Sequence, residues 1–150
     1  MTRLLGVDLG ERRIGLAVAD TDSGSVHALA TITRRDPARD AATLRRVCEE
    51  QRTDELVVGL PLNMDGTEGP QAKSTREWAA AVESGVARPI VWRDERLTSE
   101  GAEALLGRAP RGRSGGPPSA GARNSRRARI DREAAALILQ AELDARAAAR

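Results

Sequence analysis

The chain has 150 residues, of which 40% are hydrophobic and 31% charged, which suits one folded domain around a single core. No apolar run approaches the about 20 residues that cross a bilayer, and the basic N-terminus lacks a cleavage site, so we expect a cytoplasmic protein with no membrane partner. One cysteine and one histidine exclude an internal disulfide and a zinc site of His and Cys ligands, and the absence of Tyr and Phe argues against nucleic-acid recognition by aromatic stacking. A metal ion here would need oxygen ligands, which Mg²⁺ and Mn²⁺ prefer.

Three short apolar segments open the chain and predict an antiparallel meander of strands. The continuous apolar run at 55–62 is typical of a parallel strand that is buried on both faces. This order predicts an α/β domain, in which the meander continues into parallel strands of one five-stranded mixed sheet with helices on both faces. The predicted elements, in chain order, are strands at 3–8, 13–19 and 27–33, a helix at 36–51, a strand at 55–62, a helix at 70–84 ended by Gly85, a strand at 88–95, a short helix at 98–107 and a final helix from 130.

Charge is distributed unevenly along the chain. Residues 107–130 contain seven arginines and no acid, whereas the remainder has a net negative charge. Within this stretch, residues 108–129 combine Gly, Pro, Ser and Arg with almost nothing to bury, which predicts a flexible basic loop inside the single domain 1–150. Two hypotheses for this loop stay open: an electrostatic grip that orders on RNA or DNA, and a solvated loop with no binding role.

Three carboxylates stand where a structural role does not require them. Asp8 lies between two glycines at the end of the first predicted strand, Glu95 ends the fifth strand, and Asp131 opens the last helix beside its apolar face. If the first and fifth strands are parallel, Asp8 and Glu95 emerge at the same edge of the sheet, where open α/β folds place their sites. Three converging carboxylates repel each other unless a cation lies among them, so the pattern predicts a divalent metal site.

Two ions held by such carboxylates suit phosphodiester hydrolysis, because they stabilise both the attacking and the leaving oxygen. Each acid also has an ordinary structural explanation: Asp8 could cap a turn, Glu95 could pair with a neighbouring arginine, and Asp131 could favour a helix start. The flanking residues Gly6 and Gly10 would let a nucleic-acid backbone approach Asp8 closely.

Four segments together resemble the YqgF/RuvX family, which has the ribonuclease H-like fold. The resemblance implies a cytoplasmic nuclease that uses Mg²⁺ or Mn²⁺, two ions in all, and matures the 5′ end of precursor 16S ribosomal RNA. A RuvC-type endonuclease for Holliday junctions or other branched DNA is the alternative, because metal-assisted cleavage does not by itself distinguish RNA from DNA. The segments, in family order over nearly the whole chain, are GVDLGERRIGLAVAD at 6–20, VVGLPLNMDGTEGPQA at 57–72, DERLTS at 94–99 and IDREAAALILQ at 130–140.

By motif position, the resemblance implies that Asp8, Glu95 and Asp131 are the catalytic acids that hold the metal. RuvC-type resolvases carry an acid after the fourth strand, and here Asn63 and Asp65 occupy that place as supporting candidates. Arginines beside the acids and in the basic loop are candidates for holding the nucleic-acid backbone, although those beside the acids could also serve only to neutralise them. These are Arg12, Arg13, Arg96, Arg126 and Arg127.

Two rival hypotheses concern the function. The segment GVDLG also resembles the first phosphate loop of the actin and sugar-kinase ATPases, but those enzymes enclose ATP between two domains and this chain has the length of one. Alternatively, the same fold would bind a ribosome-assembly intermediate or another nucleic acid without cutting it. The intact acidic triplet favours catalysis over this binding role.

Overall fold

Five strands and three helices form the structure, a computed structural model that describes residues 2–96, 116–117 and 119–149. The short helix expected at 98–107 therefore lies outside the described residues. No helix in the described part of the chain is long and apolar enough to span a membrane. The elements are β1 (Arg3–Leu9), β2 (Arg13–Asp20), β3 (Val26–Thr33), α1 (Pro37–Gln51), β4 (Glu55–Leu60), α2 (Pro70–Val86), β5 (Ile90–Asp94) and α3 (Ala120–Ala148).

The strands form one mixed sheet in the order β3-β2-β1-β4-β5. The first three strands pair antiparallel, as expected of a meander, and β1, β4 and β5 are parallel neighbours. The sequence-based prediction of a five-stranded mixed sheet is confirmed. Strand β4 lies between β1 and β5, and because all three are parallel their C-terminal ends lie at the same edge of the sheet.

Helices cover both faces of the sheet, and side-chain alternation decides which residues each face receives. Leu5, Val7 and Leu9 of β1 pack with α1 and α2 in the larger core cluster, whereas Leu4 packs with Leu139 on the α3 side. Since neighbouring side chains of a strand point to opposite faces, Asp8 belongs to the face that α3 covers. That face carries small residues, which let α3 lie close to the strands: Gly6, Gly15, Ala17, Ala19 and Gly59.

Helices α1 and α2 pack against each other as well as against the sheet. Asp36 caps α1 by accepting a hydrogen bond from the Arg39 backbone N–H, as the Asp-Pro start predicts. The prediction that Gly85 ends α2 is wrong, because the helix continues to Val86 and its C-cap is Ala87. Gly85 has a packing role instead: a Cβ at this position would lie 2.8 Å from the Cβ of Ala41 on α1.

The final helix begins ten residues earlier than expected. Ser119 caps α3 through its side chain, which accepts from the Ala122 backbone N–H, and the helix runs on for 29 residues. The flexible loop predicted at 108–129 is therefore wrong for residues 120–129, while residues 108–115 lie outside the described part. Ala and Arg are strong helix formers, and the Thr31 hydroxyl donates to the Ala128 carbonyl at 2.5 Å, which attaches this stretch to β3.

Candidate active site

Asp8 and Glu95 form a pair of carboxyl groups at the edge of the sheet where β1, β4 and β5 end. Glu95 follows β5 directly, and its backbone N–H donates to the Leu60 carbonyl of β4 at 3.1 Å, which holds it next to the strand beside β1. A hydrogen bond joins the side chains of Asp8 and Glu95. The sequence-based expectation that these two acids meet is therefore matched by the structure.

Burial and mutual repulsion make this pair hold a proton. Loss of hydration raises the pKa of Glu95 to about 10, and the negative charge of Asp8 adds to the effect. Burial also raises the pKa of Asp8, although the hydrogen bond from Glu95 partly offsets this and the charge of Asp131 adds to it. In the hydrogen bond between them Glu95 is therefore the donor and Asp8 the acceptor.

Two glycines make the room in which these acids lie. A Cβ on Gly59 of β4 would come 2.6 Å from Oε2 of Glu95 and 2.5 Å from Cδ1 of Ile138. A Cβ on Gly15 of β2 would collide with the backbone carbonyl of Asp131 on α3. Because Gly15 is paired directly with Asp8 in the β1–β2 register, this close approach of α3 brings Asp131 to the side of Asp8.

Asp131 lies in the interior of α3 and not at the start of the helix, where we expected it. Its Oδ2 accepts from Nε of Arg13 at 3.1 Å, so Arg13 neutralises this carboxylate. Among the described residues, no three His, Cys, Asp or Glu side chains lie close enough together to form a complete metal-binding group. The structure brings all three predicted acids to one cleft but joins only Asp8 and Glu95 directly.

The cleft has a volume of about 1340 Å³ and is strongly basic around the acids. Its walls come from the β1–β2 turn, the loop at 61–69, the first turn of α2 and the first part of α3. Sequence reasoning missed Arg34 and Arg123, which lie on the walls. The arginines lining the cleft are Arg12, Arg13, Arg34, Arg96, Arg123, Arg126 and Arg127.

Arg34 shows how the meander shapes this cleft. Its backbone N–H donates to the Arg12 carbonyl at 2.8 Å and its Nη1 donates to the Gly10 carbonyl at 2.9 Å, so it fixes the turn after Asp8. The sequence-based prediction that β2 and β3 are antiparallel could have placed Arg34, which follows β3, beside this turn.

Both glycines flanking Asp8 have close neighbours in the chain. A Cβ on Gly6 would lie 2.6 Å from Cγ of Leu139, and one on Gly10 would lie 2.9 Å from the Arg13 carbonyl. The space beside Gly6 is thus filled by α3, so the prediction that this glycine admits a nucleic-acid backbone is wrong. Gly10 lines the cleft, and a contact of Gly10 with a nucleic-acid backbone stays a prediction.

The 61–69 loop carries the remaining predicted residues. Asn63 donates to the Thr67 hydroxyl at 3.0 Å, and Asp65 accepts from the Thr67 hydroxyl and backbone N–H, which lowers the pKa of Asp65. Arg96 pairs with Asp94 and donates to the Met64 carbonyl at 3.0 Å. These contacts shape the loop, and a direct contact of Asn63, Asp65 or Arg96 with substrate stays a prediction.

The donor set fits a hard divalent cation. Asp8, Glu95 and Asp131 offer carboxylate oxygens only, and Gly59 provides the space for one of these side chains. A cation would replace the proton that Asp8 and Glu95 share, because it would offset the burial and the charge of Asp8 that raise the pKa of Glu95.

Comparison with known proteins shows what the chain resembles as a whole. A chain from Thermus thermophilus RuvC in complex with a Holliday junction substrate superposes with a TM-score of 0.54 at 17% identity, covering 98% of this chain and 96% of that one. A second structure, described as that of Thermus thermophilus RuvC, superposes with a TM-score of 0.52 at 16% identity, covering 98% of this chain and 97% of that one. At this identity the likeness shows the fold, which is ribonuclease H-like.

Sequence relatives agree over nearly the full length. A protein of Anaeromyxobacter dehalogenans (strain 2CP-1 / ATCC BAA-258), named "Putative pre-16S rRNA nuclease", is 47% identical over 145 residues, covering 97% of this chain and 98% of its own. A protein of the same name from Synechococcus elongatus is 43% identical over 143 residues, covering 93% and 87%. The family model described as "RuvX: Holliday junction resolvase" matches residues 2–145. This chain belongs to the RuvX family.

Proposed function

We propose that this protein is a metal-dependent nuclease that hydrolyses phosphodiester bonds of precursor 16S ribosomal RNA, at its 5′ end, during ribosome biogenesis in the cytoplasm. The observation that carries the proposal is the buried pair of Asp8 and Glu95 in a cleft lined by arginines. The shared name of the curated relatives supports the choice of substrate, and precursor RNA within a ribosome-assembly intermediate is the form we expect the protein to meet.

Asp8, Glu95 and Asp131 would hold the metal ions, Mg²⁺ or Mn²⁺ and two in number. When bound, such ions supply positive charge that lowers the pKa of the attacking water and neutralises the scissile phosphate in the transition state. Metal binding requires both carboxyl groups of the acid pair to be ionised, so Glu95 must release its proton first. Asp131 would hold the cation through a carboxylate whose Oδ2 accepts from Arg13 in the metal-free protein.

The arginines of the cleft would hold the substrate. Arg12 and Arg127 are exposed, and neither forms an ion pair or side-chain hydrogen bond with any described residue. Guanidinium groups bind phosphate oxygens bidentately. The arginines that line the cleft around the acids would therefore hold a phosphate over the acid pair. The cleft is larger than the roughly 300 to 1,000 Å³ of a typical small-molecule site, which favours a polymeric substrate.

Cleavage assays with three substrates test the proposal. Labelled RNA with the 5′ leader of 16S rRNA, single-stranded DNA and a four-way DNA junction are incubated with Mg²⁺ or Mn²⁺ and the wild type, Asp8→Asn or Glu77→Gln. Glu77 is an exposed acid on α2 that does not line the cleft, so Glu77→Gln is the matched control.

The proposal predicts metal-dependent cleavage of the RNA by the wild type and by Glu77→Gln, and none by Asp8→Asn. Cleavage of the junction in preference to RNA would replace rRNA maturation with junction resolution. Cleavage of none of the substrates, with the RNA still bound, would identify a binding module.

A further inference from the structure

The first part of α3 carries arginines at helical intervals from Asp131 on the side that lines the cleft. Arg127 precedes Asp131 by four residues, which is about one turn and about 6 Å along the helix axis. Arg123 precedes it by eight residues, about two turns and about 12 Å. All three line the same cleft. We call Arg123 and Arg127 the arginine row.

The spacing of this row is close to the distance between consecutive phosphates of an extended nucleic-acid strand. Side chains on a helix lean towards its N-terminus, so both guanidinium groups extend away from the acids along the cleft. A strand whose scissile phosphate lies at Asp131 would therefore meet Arg127 with the next phosphate and Arg123 with the one after it.

The row can extend from the acids in one direction only. Beyond Asp131, the cleft face of α3 gives way to residues that are fully buried against the sheet, namely Ala134, Ala135 and Ile138. A substrate strand that follows α3 must thus run towards the N-terminus of the helix. On the other side of the scissile phosphate, α3 provides no row of arginines that corresponds to Arg127 and Arg123.

We propose that Arg127 and Arg123 form two phosphate subsites, which bind the first and second phosphates on one side of the scissile bond in a single strand. The inference rests on the proposed nuclease function and adds the register and direction of the substrate. It predicts that cleavage needs at least two nucleotides on that side and tolerates a shorter end on the other.

A chemical double-mutant cycle tests the register. The cleavage site of the RNA is first mapped with wild type, and single uncharged methylphosphonate linkages are then placed one or two positions from it on either side. Binding of each RNA is measured by fluorescence anisotropy in Ca²⁺ at two salt concentrations, for wild type, Arg127→Gln, Arg123→Gln and Arg129→Gln. Arg129 is exposed on the same helix and does not line the cleft, so it controls for net charge.

We expect Arg127→Gln to weaken binding about tenfold and to reduce the salt dependence by about one phosphate contact. A methylphosphonate at the first position on one side should weaken wild-type binding to a similar extent and leave Arg127→Gln unchanged. The second position should behave in the same way with Arg123→Gln. Arg129→Gln should bind at least several-fold more tightly than either and respond to each linkage as wild type does.

Two results would overturn the inference separately from the proposed function. Equal binding by Arg127→Gln and Arg129→Gln, with RNA still cut by wild type, would leave the nuclease and remove the subsites. Fully additive effects of arginine and linkage changes would also remove them. If the wild type neither binds nor cuts any nucleic acid, the proposed function fails and the subsites fail with it.

Discussion

Two acidic clusters lie between the sheet and α3, and they are neutralised in different ways. Towards the C-terminal end of α3, Glu142 is 4% exposed and forms ion pairs with Arg93 at 2.9 Å and Arg146 at 2.7 Å. Arg146 also pairs with Glu55 at 3.2 Å, so this Glu142 cluster contains two acids and two arginines. At the other end of the sheet, Asp8 and Glu95 are hydrogen-bonded to each other and share a proton.

The difference separates a structural cluster from a candidate catalytic one. The Glu142 cluster balances its own charge and needs no ligand. The acid pair places two carboxyl groups together in a site that disfavours charge, which costs folding energy unless a proton or a cation relieves the repulsion. Strongly raised pKa values in a cleft are typical of functional sites, and the comparison predicts opposite consequences for changes in the two clusters.

The largest expected effect is on activity at the acid pair. Asp8→Asn should reduce cleavage by roughly a thousandfold or more, because it removes a ligand and charge at the reacting phosphate. The unfolding temperature of the metal-free protein should stay the same or rise, since the amide removes a charge that is unfavourably buried and that is repelled by Asp131. Initial rates and thermal unfolding of the same preparation check both parts. An active Asp8→Asn variant would remove the acid pair from the mechanism.

Glu142→Gln should have the reverse pattern. The change leaves Arg93 and Arg146 without their buried partner and should cost about 2 kcal/mol of unfolding free energy, somewhat less than a fully buried pair because both arginines reach solvent. Cleavage by the folded protein should be near the wild-type level. Urea unfolding measures the first effect, and a loss of activity comparable to that of Asp8→Asn would show that the two clusters are coupled.

Gly15→Ala tests whether the close approach of α3 assembles the site. The added methyl would collide with the Asp131 backbone, so we expect a loss of about 1 to 3 kcal/mol in stability and a clear fall in cleavage as Asp131 moves away from Asp8. Gly121→Ala is the matched control on α3, because nothing lies within 4 Å of its added Cβ. It should raise stability by up to about 1 kcal/mol and leave cleavage unchanged. Equal activities of the two variants would argue against this role of Gly15.

Part of the fold and of the candidate site could be predicted from the sequence alone. The meander, the parallel strands and the meeting of Asp8 with Glu95 follow from apolar periodicity and from the rule that parallel strands end at one edge. The position of Asp131 in the interior of α3 could not be predicted in that way, because the helical residues before it lack an apolar stripe and are rich in Gly, Ser and Arg. Their helix depends on continuity with the buried part of α3 and on the contact of Thr31 with Ala128.

A signal for the close approach of α3 was nevertheless present in β2. Gly15, Ala17 and Ala19 alternate with Ile14, Leu16 and Val18, so one face of this strand is small throughout. Such a face admits a helix backbone more closely than a face of branched side chains. Which helix packs on this face depends on tertiary structure and cannot be predicted from the periodicity of the strand.

A dependence of stability on pH isolates the proton of the acid pair. In the folded protein Glu95 keeps its proton up to a pKa of about 10, whereas in the unfolded chain it loses it near the ordinary value of 4.5. The folded state therefore binds more protons than the unfolded state between these values, and stability without metal should fall as pH rises, by at most about 1 kcal/mol per pH unit. Asp8 acts in the same direction, since its pKa is also raised.

Urea unfolding in a chelating buffer from about pH 6 to pH 9 measures this slope. Glu95→Gln should flatten it, because the amide carries no titrating proton. Glu142→Gln should lower stability at every pH and keep the slope, since the Glu142 cluster is neutralised by arginines. A wild-type stability that does not fall over this interval would show that Glu95 is ionised in the folded protein, and the contrast between the two clusters would then have to rest on their partners alone.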